Sequence, residues 1–209
     1  MNILAIDTSL DACALALLRG GEVVFQSVDV MERGQAEALA PLAKRAFTAT
    51  NLAPRALDRI VVTVGPGSFT GVRAGLAFAR GLAVALNIDC IGVSTLEALT
   101  LGEAENLRAS VIATPAALYA ALYGAEKTLI APRRFDTMPA AAAAVSGAAA
   151  GASVAVAGPG REELARLAPA ARATGAARPD PVLMALRCAG RDPTANPPAP
   201  LYLRAALEP

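Results

Sequence analysis

Residues 60–73 read Ile-Val-Val-Thr-Val-Gly-Pro-Gly-Ser-Phe-Thr-Gly-Val-Arg. The first five are all β-branched, which is typical of a buried strand. The glycines and the proline end that strand, and an apolar run of helical period continues to about Leu86. A strand, a glycine-rich turn and a helix in this order predict an α/β protein.

The residues before this stretch predict a meander followed by a helix. Apolar runs at 3–6, 12–18 and 23–28 read as three strands, and Gly20-Gly21 suits a hairpin turn between the second and third. From Gln35 to Thr50 the pattern becomes helical, with one stripe formed by Leu39, Leu42 and Ala46. Pro41 is tolerable only if the helix starts close before it, so we predict a helix with a soft start.

The residues after the stretch complete one lobe and begin another. Residues 89–93 read as a strand and 94–97 as the start of a short helix. The resulting β-β-β-α-β-α-β order is that of a ribonuclease-H-like domain with a mixed sheet. Weaker signals predict further strands at 110–113, 118–123 and 154–157, and an alanine-rich helix at 139–150.

These signals divide the chain into three predicted parts. We expect an N-terminal lobe at 1–102, a smaller C-terminal lobe at 103–191, and a tail at 192–209. Four prolines between Asp192 and Leu201 predict that the tail begins as an extended linker.

Composition removes several classes of function. The 209 residues are 55% apolar and carry a formal net charge of +1, so no long-range field collects nucleic acid. Any contact with RNA must be local or supplied by a partner. The chain has no histidine, which excludes Ser-His-Asp and Cys-His relays and the usual histidine-based metal sites.

Cysteine usage and the first residues concern the compartment. Cys13, Cys90 and Cys188 are odd in number and far apart, so we interpret them as buried thiols rather than a disulfide or zinc framework. The N-terminus has no basic segment and reaches Asp7 too early for a signal peptide, which predicts a cytoplasmic protein.

The glycine-rich turn has two interpretations. A turn between strand and helix can present backbone amides to an anion, which makes Gly65, Gly67, Ser68 and Thr70 candidate phosphate contacts. The spacing matches neither the Rossmann fingerprint nor the P-loop. A structural turn in which Ser68 or Thr70 caps the helix is the alternative.

Asp7-Thr8-Ser9 ends the first predicted strand and is also open to two interpretations. A carboxylate here could hold a metal or a nucleotide phosphate together with the two hydroxyl groups. Alternatively, Asp7 caps backbone amides in a turn. No second acid is obvious, since Glu97 is equally explained by its place near a helix start.

The helix after the turn carries small residues on one face. Gly71, Gly75 and Ala79 recur at four-residue spacing. Interior glycines cost a helix about 1 kcal/mol each, so a close neighbour is expected, either from the same chain or from another subunit. Arg73 and Arg80 argue against a membrane span and are either solvated or partner contacts.

Four segments together resemble a known family. They are 3–9 (Ile-Leu-Ala-Ile-Asp-Thr-Ser), 65–73 (Gly-Pro-Gly-Ser-Phe-Thr-Gly-Val-Arg), 92–96 (Gly-Val-Ser-Thr-Leu) and 200–204 (Pro-Leu-Tyr-Leu-Arg). Their order and spacing are similar to the TsaB (YeaZ) family of bacterial tRNA threonylcarbamoyladenosine synthesis. The resemblance implies an actin-like (ASKHA) fold with two ribonuclease-H-like lobes, the second reduced.

The resemblance also implies a function and partners. Such a chain would be a non-catalytic subunit that binds and activates TsaD, the enzyme that modifies the tRNA adenosine beside the anticodon. TsaE would engage the assembled pair, the chain alone would form a homodimer, and tRNA would be contacted only indirectly. No cofactor is expected, with ATP used by the wider complex. Helices 35–50 and 70–86 would form the interface, which assigns to it Leu39, Leu42, Ala46, Gly71, Arg73, Gly75, Ala79 and Arg80.

Two departures from the family pattern remove polar groups. Arg33-Gly34-Gln35 stands where the family often has Arg-x-His, and Ala113-Thr114-Pro115 stands where it often has Asp-Ala-Arg. The rival functions are an actin-like ATPase and a peptidase-like protein. An ATPase needs phosphate loops from both lobes, and the second lobe offers only Gly158-Pro159-Gly160.

Overall fold

A computed structural model of the chain describes residues 1–203. They form two compact units, the first built from Met1–Ala98 and Pro179–Leu201, the second on Leu99–Arg178. Arg204, the last residue of the tail motif, and the rest of the predicted tail lie outside the described residues.

The first unit holds a five-stranded mixed sheet with the strand order β3-β2-β1-β4-β5. The first three strands form an antiparallel meander, and β4 and β5 then run parallel to β1. The elements are β1 Asn2–Asp7, β2 Ala12–Arg19, β3 Glu22–Val30, α1 Gln35–Thr50, β4 Arg59–Thr63, α2 Phe69–Leu86, β5 Asp89–Val93 and α3 Thr95–Ala98.

The second unit repeats this plan with the strand order β8-β7-β6-β9-β10. Its first three strands are antiparallel and its last two run parallel to β6. The elements are β6 Arg108–Ala113, β7 Leu118–Tyr123, β8 Thr128–Phe135, α4 Met138–Ala149, β9 Val154–Ala157, α5 Arg161–Leu167 and β10 Ala171–Ala173. Two sheets of one order confirm the predicted actin-like architecture of ribonuclease-H-like halves.

The first core forms where α1 and α2 cover one face of the first sheet. Leu4, Ile6 and Ile60 from the strands meet Leu39 and Leu76 from the helices, all at most 3% exposed. A last helix, α6 (Pro181–Cys188), packs on the same strands. Its buried residues lie outside that cluster, which places α6 on the other face of the sheet.

The return of α6 makes the units differ from the predicted parts. The predicted C-terminal lobe extends to 191, whereas the structure assigns the chain from Pro179 to the first unit. The predicted linker is folded as well: the backbone amide of Leu201 donates to the Val64 carbonyl, and the side chain of Leu201 packs on the first core. Sequence alone missed these contacts because a proline-rich segment carries no periodic pattern.

Helix α1 begins at Gln35, as predicted, and Pro41 lies inside it, six residues after that start. Proline removes one intrahelical hydrogen bond, to the carbonyl of Glu37. Both residues are exposed, so water can satisfy that carbonyl.

Helix α2 is, among the described residues, the one helix long and apolar enough to cross a membrane by length and composition. Six of its residues, Gly71, Val72, Gly75, Leu76, Ala79 and Ala83, are buried in the first unit. The core helix of a globular protein passes the same test.

The three cysteines are free and buried, as expected. Burial raises the pKa of Cys13 and of Cys188 to about 11, and that of Cys90 to about 12. Such thiols stay protonated and unreactive at neutral pH.

Candidate functional site

Asp7 is fully buried at the end of β1, and one of its two carboxyl oxygens accepts hydrogen bonds from other residues of the same chain. Oδ1 accepts hydrogen bonds from the Ser9 amide at 3.0 Å, the Ser9 hydroxyl at 2.6 Å and the Thr63 hydroxyl at 2.7 Å. Oδ2 is buried without a hydrogen-bond partner. Burial raises the pKa of Asp7, and the three hydrogen bonds oppose that shift.

This geometry corresponds to the capping interpretation of Asp7. Thr8 and Ser9 are at most 1% exposed, so neither presents its hydroxyl to solvent. Within residues 1–203, no group of three or more cysteine and acidic side chains is placed to hold a metal ion.

The glycine-rich turn is packed against the same loop. The Ser68 amide donates to the Ser9 carbonyl at 2.7 Å, and a Cβ on Gly67 would overlap that carbonyl oxygen. Ser68 caps α2 by accepting from the Gly71 amide at 3.2 Å. The amides of Ser68 and Gly71 thus already donate hydrogen bonds within the chain, as the structural interpretation of the turn requires. Thr70 is exposed, and phosphate binding at this turn stays a prediction.

The glycine-lined face of α2 also meets its own chain. A Cβ on Gly71 would lie within 3.0 Å of the Thr8 carbonyl oxygen, and one on Gly75 equally close to the Thr8 hydroxyl. That hydroxyl donates to the Gly71 carbonyl at 2.7 Å. The close neighbour that the glycines require is therefore the loop after β1.

This packing corrects the predicted interface residues. Six of the eight are buried inside the first unit and present no surface to a partner: Leu39, Leu42, Ala46, Gly71, Gly75 and Ala79. The reason is that apolar and small stripes of α1 and α2 fill the core instead of a subunit contact. Arg73 and Arg80 are exposed, and their role as partner contacts stays a prediction.

The exposed side of α2 is a different stripe, which we name the α2 outer face. It consists of Phe69, Arg73, Ala77, Arg80, Gly81 and Val84. Val84 is 82% exposed and Phe69 is 63% exposed, and the Arg73 guanidinium lies 3.5 Å from the centroid of the Phe69 ring. Within residues 1–203, Arg80 has no ion pair. The face therefore combines exposed apolar surface with an unneutralised cation.

Sequence reasoning missed this face although a signal was present. Val72, Leu76 and Ala83 form the large apolar stripe that a core requires, so the exposed stripe had to lie on the opposite side. The notable feature was Val84, a large apolar residue on the side of Arg73 and Arg80.

Gln35, which stands where the family often has histidine, has a structural role. It is 6% exposed, and its Nε2 donates to the carbonyls of Leu10 and Met31, each at 3.1 Å. The side chain thereby ties the start of α1 to the loop after β1.

The second unit has a glycine turn but no acidic residue at the position equivalent to Asp7. Ala113 ends β6 as Asp7 ends β1, by position in the sheet order. Gly158 has φ of +103°, and a Cβ there would overlap the Val111 carbonyl. Arg161 fills the turn by donating to the carbonyls of Thr174 at 2.7 Å and Gly158 at 3.1 Å.

Comparison with known proteins identifies relatives over much of the chain. The family described as "TsaD: tRNA N6-adenosine threonylcarbamoyltransferase" matches residues 29–177, more than half of the chain. The tRNA threonylcarbamoyladenosine biosynthesis protein TsaB of Bacillus subtilis is 39% identical over 99 residues, covering 47% of this chain and 43% of the relative. TsaB of Escherichia coli is 36% identical over 102 residues, covering 49% and 44%.

The structural likeness extends further. A Pseudomonas aeruginosa protein described as similar to the peptidase YEAZ aligns with a TM-score of 0.75 and 25% identity, covering 97% of this chain and 99% of that one. In sequence, the chain spans about half the length of the curated relatives it matches. By the family match, the chain belongs to the TsaD family, and within that family it is similar in sequence to TsaB proteins and in structure to a YeaZ-like protein.

Proposed function

We propose that the chain is a non-catalytic cytoplasmic subunit in the biosynthesis of threonylcarbamoyladenosine in tRNA, and that it binds and activates TsaD. The printed names of its relatives support the pathway. The α2 outer face is the observation that carries the binding role, because Val84 and Phe69 are exposed there beside Arg80.

The proposed interface is formed by the α2 outer face together with exposed residues of the adjoining helix α1. A specific complex buries roughly 800 Å² on each partner, which a pair of helices of 16 and 18 residues can supply. Aromatic side chains and arginine are enriched in the cores of such interfaces, which favours Phe69, Arg73 and Arg80 as contacts. The same face would form the homodimer of the isolated chain, and TsaE would engage the pair of this chain with TsaD.

Activation by a subunit without its own chemistry requires a shift of populations. A partner that binds only the competent conformation of TsaD raises the fraction of TsaD in that state. The shift is limited by the difference in affinity between the two conformations. In this proposal ATP is used by the wider complex, the chain needs no cofactor of its own, and its contact with tRNA is indirect.

Two matched substitutions, each replacing an exposed alanine by glutamate, test the proposal. Ala77→Glu places a charge in the centre of the α2 outer face, and Ala143→Glu places the same charge at an exposed helical position of the second unit. In a reconstituted reaction with TsaD, TsaE and the enzyme that supplies the threonylcarbamoyl adenylate, we expect Ala77→Glu to abolish modification. Binding to TsaD should weaken at least tenfold, because the new carboxylate lies one helical turn from Arg73 and Arg80, neutralises the charge of the face and would have to lose its hydration in the interface.

The control variant Ala143→Glu should retain both binding and modification. If Ala77→Glu binds TsaD with unchanged affinity, the outer face is not the interface. If it binds normally and modification still fails, the chain contributes more than binding, and the non-catalytic proposal is wrong.

A further inference from the structure

Strand β5 is the last strand of the first sheet, so one of its edges has no neighbouring strand. Residues Asp192–Leu201, which we name the strap, run beside this edge. The Gly92 amide donates to the Asn196 carbonyl at 2.9 Å. Further along, the Leu201 amide donates to the Val64 carbonyl at 2.8 Å. At the β5 edge the strap thus occupies the Gly92 amide, a hydrogen-bonding position that another strand would otherwise take, while the Leu201 bond lies just beyond the end of β4.

The edge is shaped for this segment. A Cβ on Gly92 would overlap the Pro197 carbonyl oxygen and would lie 2.7 Å from Val64 Cγ1. The strap backbone therefore approaches β5 more closely than any side chain at position 92 permits. Glycine costs stability inside a strand, and the close approach of Pro197 gives it a reason at this position.

Short-range contacts hold the two ends of the strap. At its start, the Arg191 guanidinium pairs with the Glu97 carboxylate at 2.6 and 3.2 Å. Asp192 Oδ1 then accepts from the amide of Thr194 at 2.8 Å and from its hydroxyl at 2.7 Å. At its end, Leu201 packs on the first core. The strap is fixed at its ends and has few anchors between them.

The middle of the strap is exposed and poor in hydrogen-bond donors. Thr194, Ala195, Pro197 and Ala199 are exposed, which is typical of segments that open locally at low free-energy cost. The four prolines, at positions 193, 197, 198 and 200, have no backbone N–H. A further strand could pair only weakly with such a segment, so the strap covers an edge without creating a new one.

We propose that the strap is a removable guard: it shields the β5 edge, and when it detaches, β5 pairs with β5 of a second copy of this chain. The strand beneath it contains Cys90, Ile91 and Val93, a short apolar run suited to edge-to-edge pairing. This association uses the sheet edge, although Pro193 and Pro198 of the strap line one pocket with Arg80 and Val84 of the α2 outer face.

The test releases the strap in the full chain without altering β5. The double substitution Asp192→Ala with Asn196→Ala removes the side-chain hydrogen bonds of the strap turn. We expect amide hydrogen exchange at residues 90–93 to accelerate at least tenfold, with trypsin cleavage after Arg191 rising in parallel. Introduced into the Ala77→Glu background, which silences the outer face, the double substitution should produce a dimer in sedimentation experiments.

Two further variants complete the experiment. Thr114→Ala removes a similar local turn bond in the second unit and should leave exchange in β5 unchanged. Gly92→Ala displaces the strap from the strand side and should reproduce the exchange and the dimer if the double variant fails to fold. If amide exchange in β5 is unchanged after the strap is released, the proposal that the strap shields this edge is wrong. If exchange accelerates but no dimer forms in the Ala77→Glu background, the proposed pairing of β5 with a second copy is wrong.

Discussion

The two units share one strand order and differ in what stands at the end of the central strand. In the first, Asp7 collects the Ser9 and Thr63 groups, and α2 continues for 18 residues. In the second, Ala113 takes that position, and α5 has seven residues. The shared part is the glycine turn after β4 and β9. The turn therefore belongs to the architecture that both units share, whereas the carboxyl cluster and the long helix are particular to the first unit.

The largest loss of stability is expected from substitutions in the glycine turns that both units share. Gly67→Ala and Gly158→Ala each force a Cβ against a carbonyl oxygen of a neighbouring segment, of Ser9 and Val111 respectively. Because backbone cannot move aside cheaply, each should lower the free energy of unfolding by more than about 3 kcal/mol. Urea denaturation measures this. The control is Gly147→Ala in α4, where a Cβ meets nothing within 4 Å. A mild effect at only one of the two turns would show that the units do not share this constraint.

A smaller loss of stability is expected at the end of the central strand, where the first unit has Asp7 and the second has Ala113. Asp7→Ala leaves the buried donors of Ser9 and Thr63 without an acceptor and should cost about 2 kcal/mol. Ala113→Asp, at a half-buried position, should change stability by less than about 0.5 kcal/mol. Equal effects at the two positions would remove the distinction between the units.

The pH dependence of the Asp7 effect has a definite sign. The pKa of Asp7 is raised above 3.8 by burial, so the folded state binds more protons than the unfolded state between 3.8 and that raised pKa. The contribution of Asp7 to stability is then full below pH 3.8 and is lost as pH rises through the folded pKa. The destabilisation by Asp7→Ala should therefore be largest in acid and diminish with rising pH. A difference that grows with pH would mean that the folded carboxylate is stabilised as an anion.

The smallest loss of stability is expected at the N-caps of α2 and α4, one in each unit. Ser68 caps α2 by accepting from the Gly71 amide at 3.2 Å, and Thr137 caps α4 by accepting from the Ala140 amide at 3.3 Å. Ser68→Ala and Thr137→Ala should each cost about 1 kcal/mol, since each leaves one helix amide without its acceptor. Thermal unfolding followed by circular dichroism would detect both losses. A much larger loss at Ser68 would point to a role beyond the cap.

Local patterns predicted the elements that local sequence determines. The strands at 118–123 and 154–157 and the helix at 35–50 lie where periodicity placed them. The strand Thr128–Phe135 was missed because Pro132 and two arginines disguise an edge strand, and α5 and α6 were missed because seven or eight residues give too little periodicity.

The candidate site was harder to predict than the fold. Small residues at four-residue spacing indicate a close neighbour but do not say whether it is another subunit or the same chain. The neighbour is Thr8, more than 60 residues away in sequence, and only the register of β1 beside β4 brings it there. The resemblance to a family suggested α1 and α2 as the helices of a proposed interface, while the exposed side of α2 could be recognised only in the three-dimensional structure.

The return of the chain to the first unit has a consequence for synthesis on the ribosome. Residues 99–178 emerge before α6, so the nascent first sheet waits with one face uncovered while the whole second unit is made. Met184, Ala185 and Cys188, each fully buried in the finished protein, are absent throughout that interval. At 5–20 residues per second, roughly, the delay is several seconds. During that interval the bare apolar face is exposed to aggregation, and slower translation between 99 and 188 lengthens the exposure.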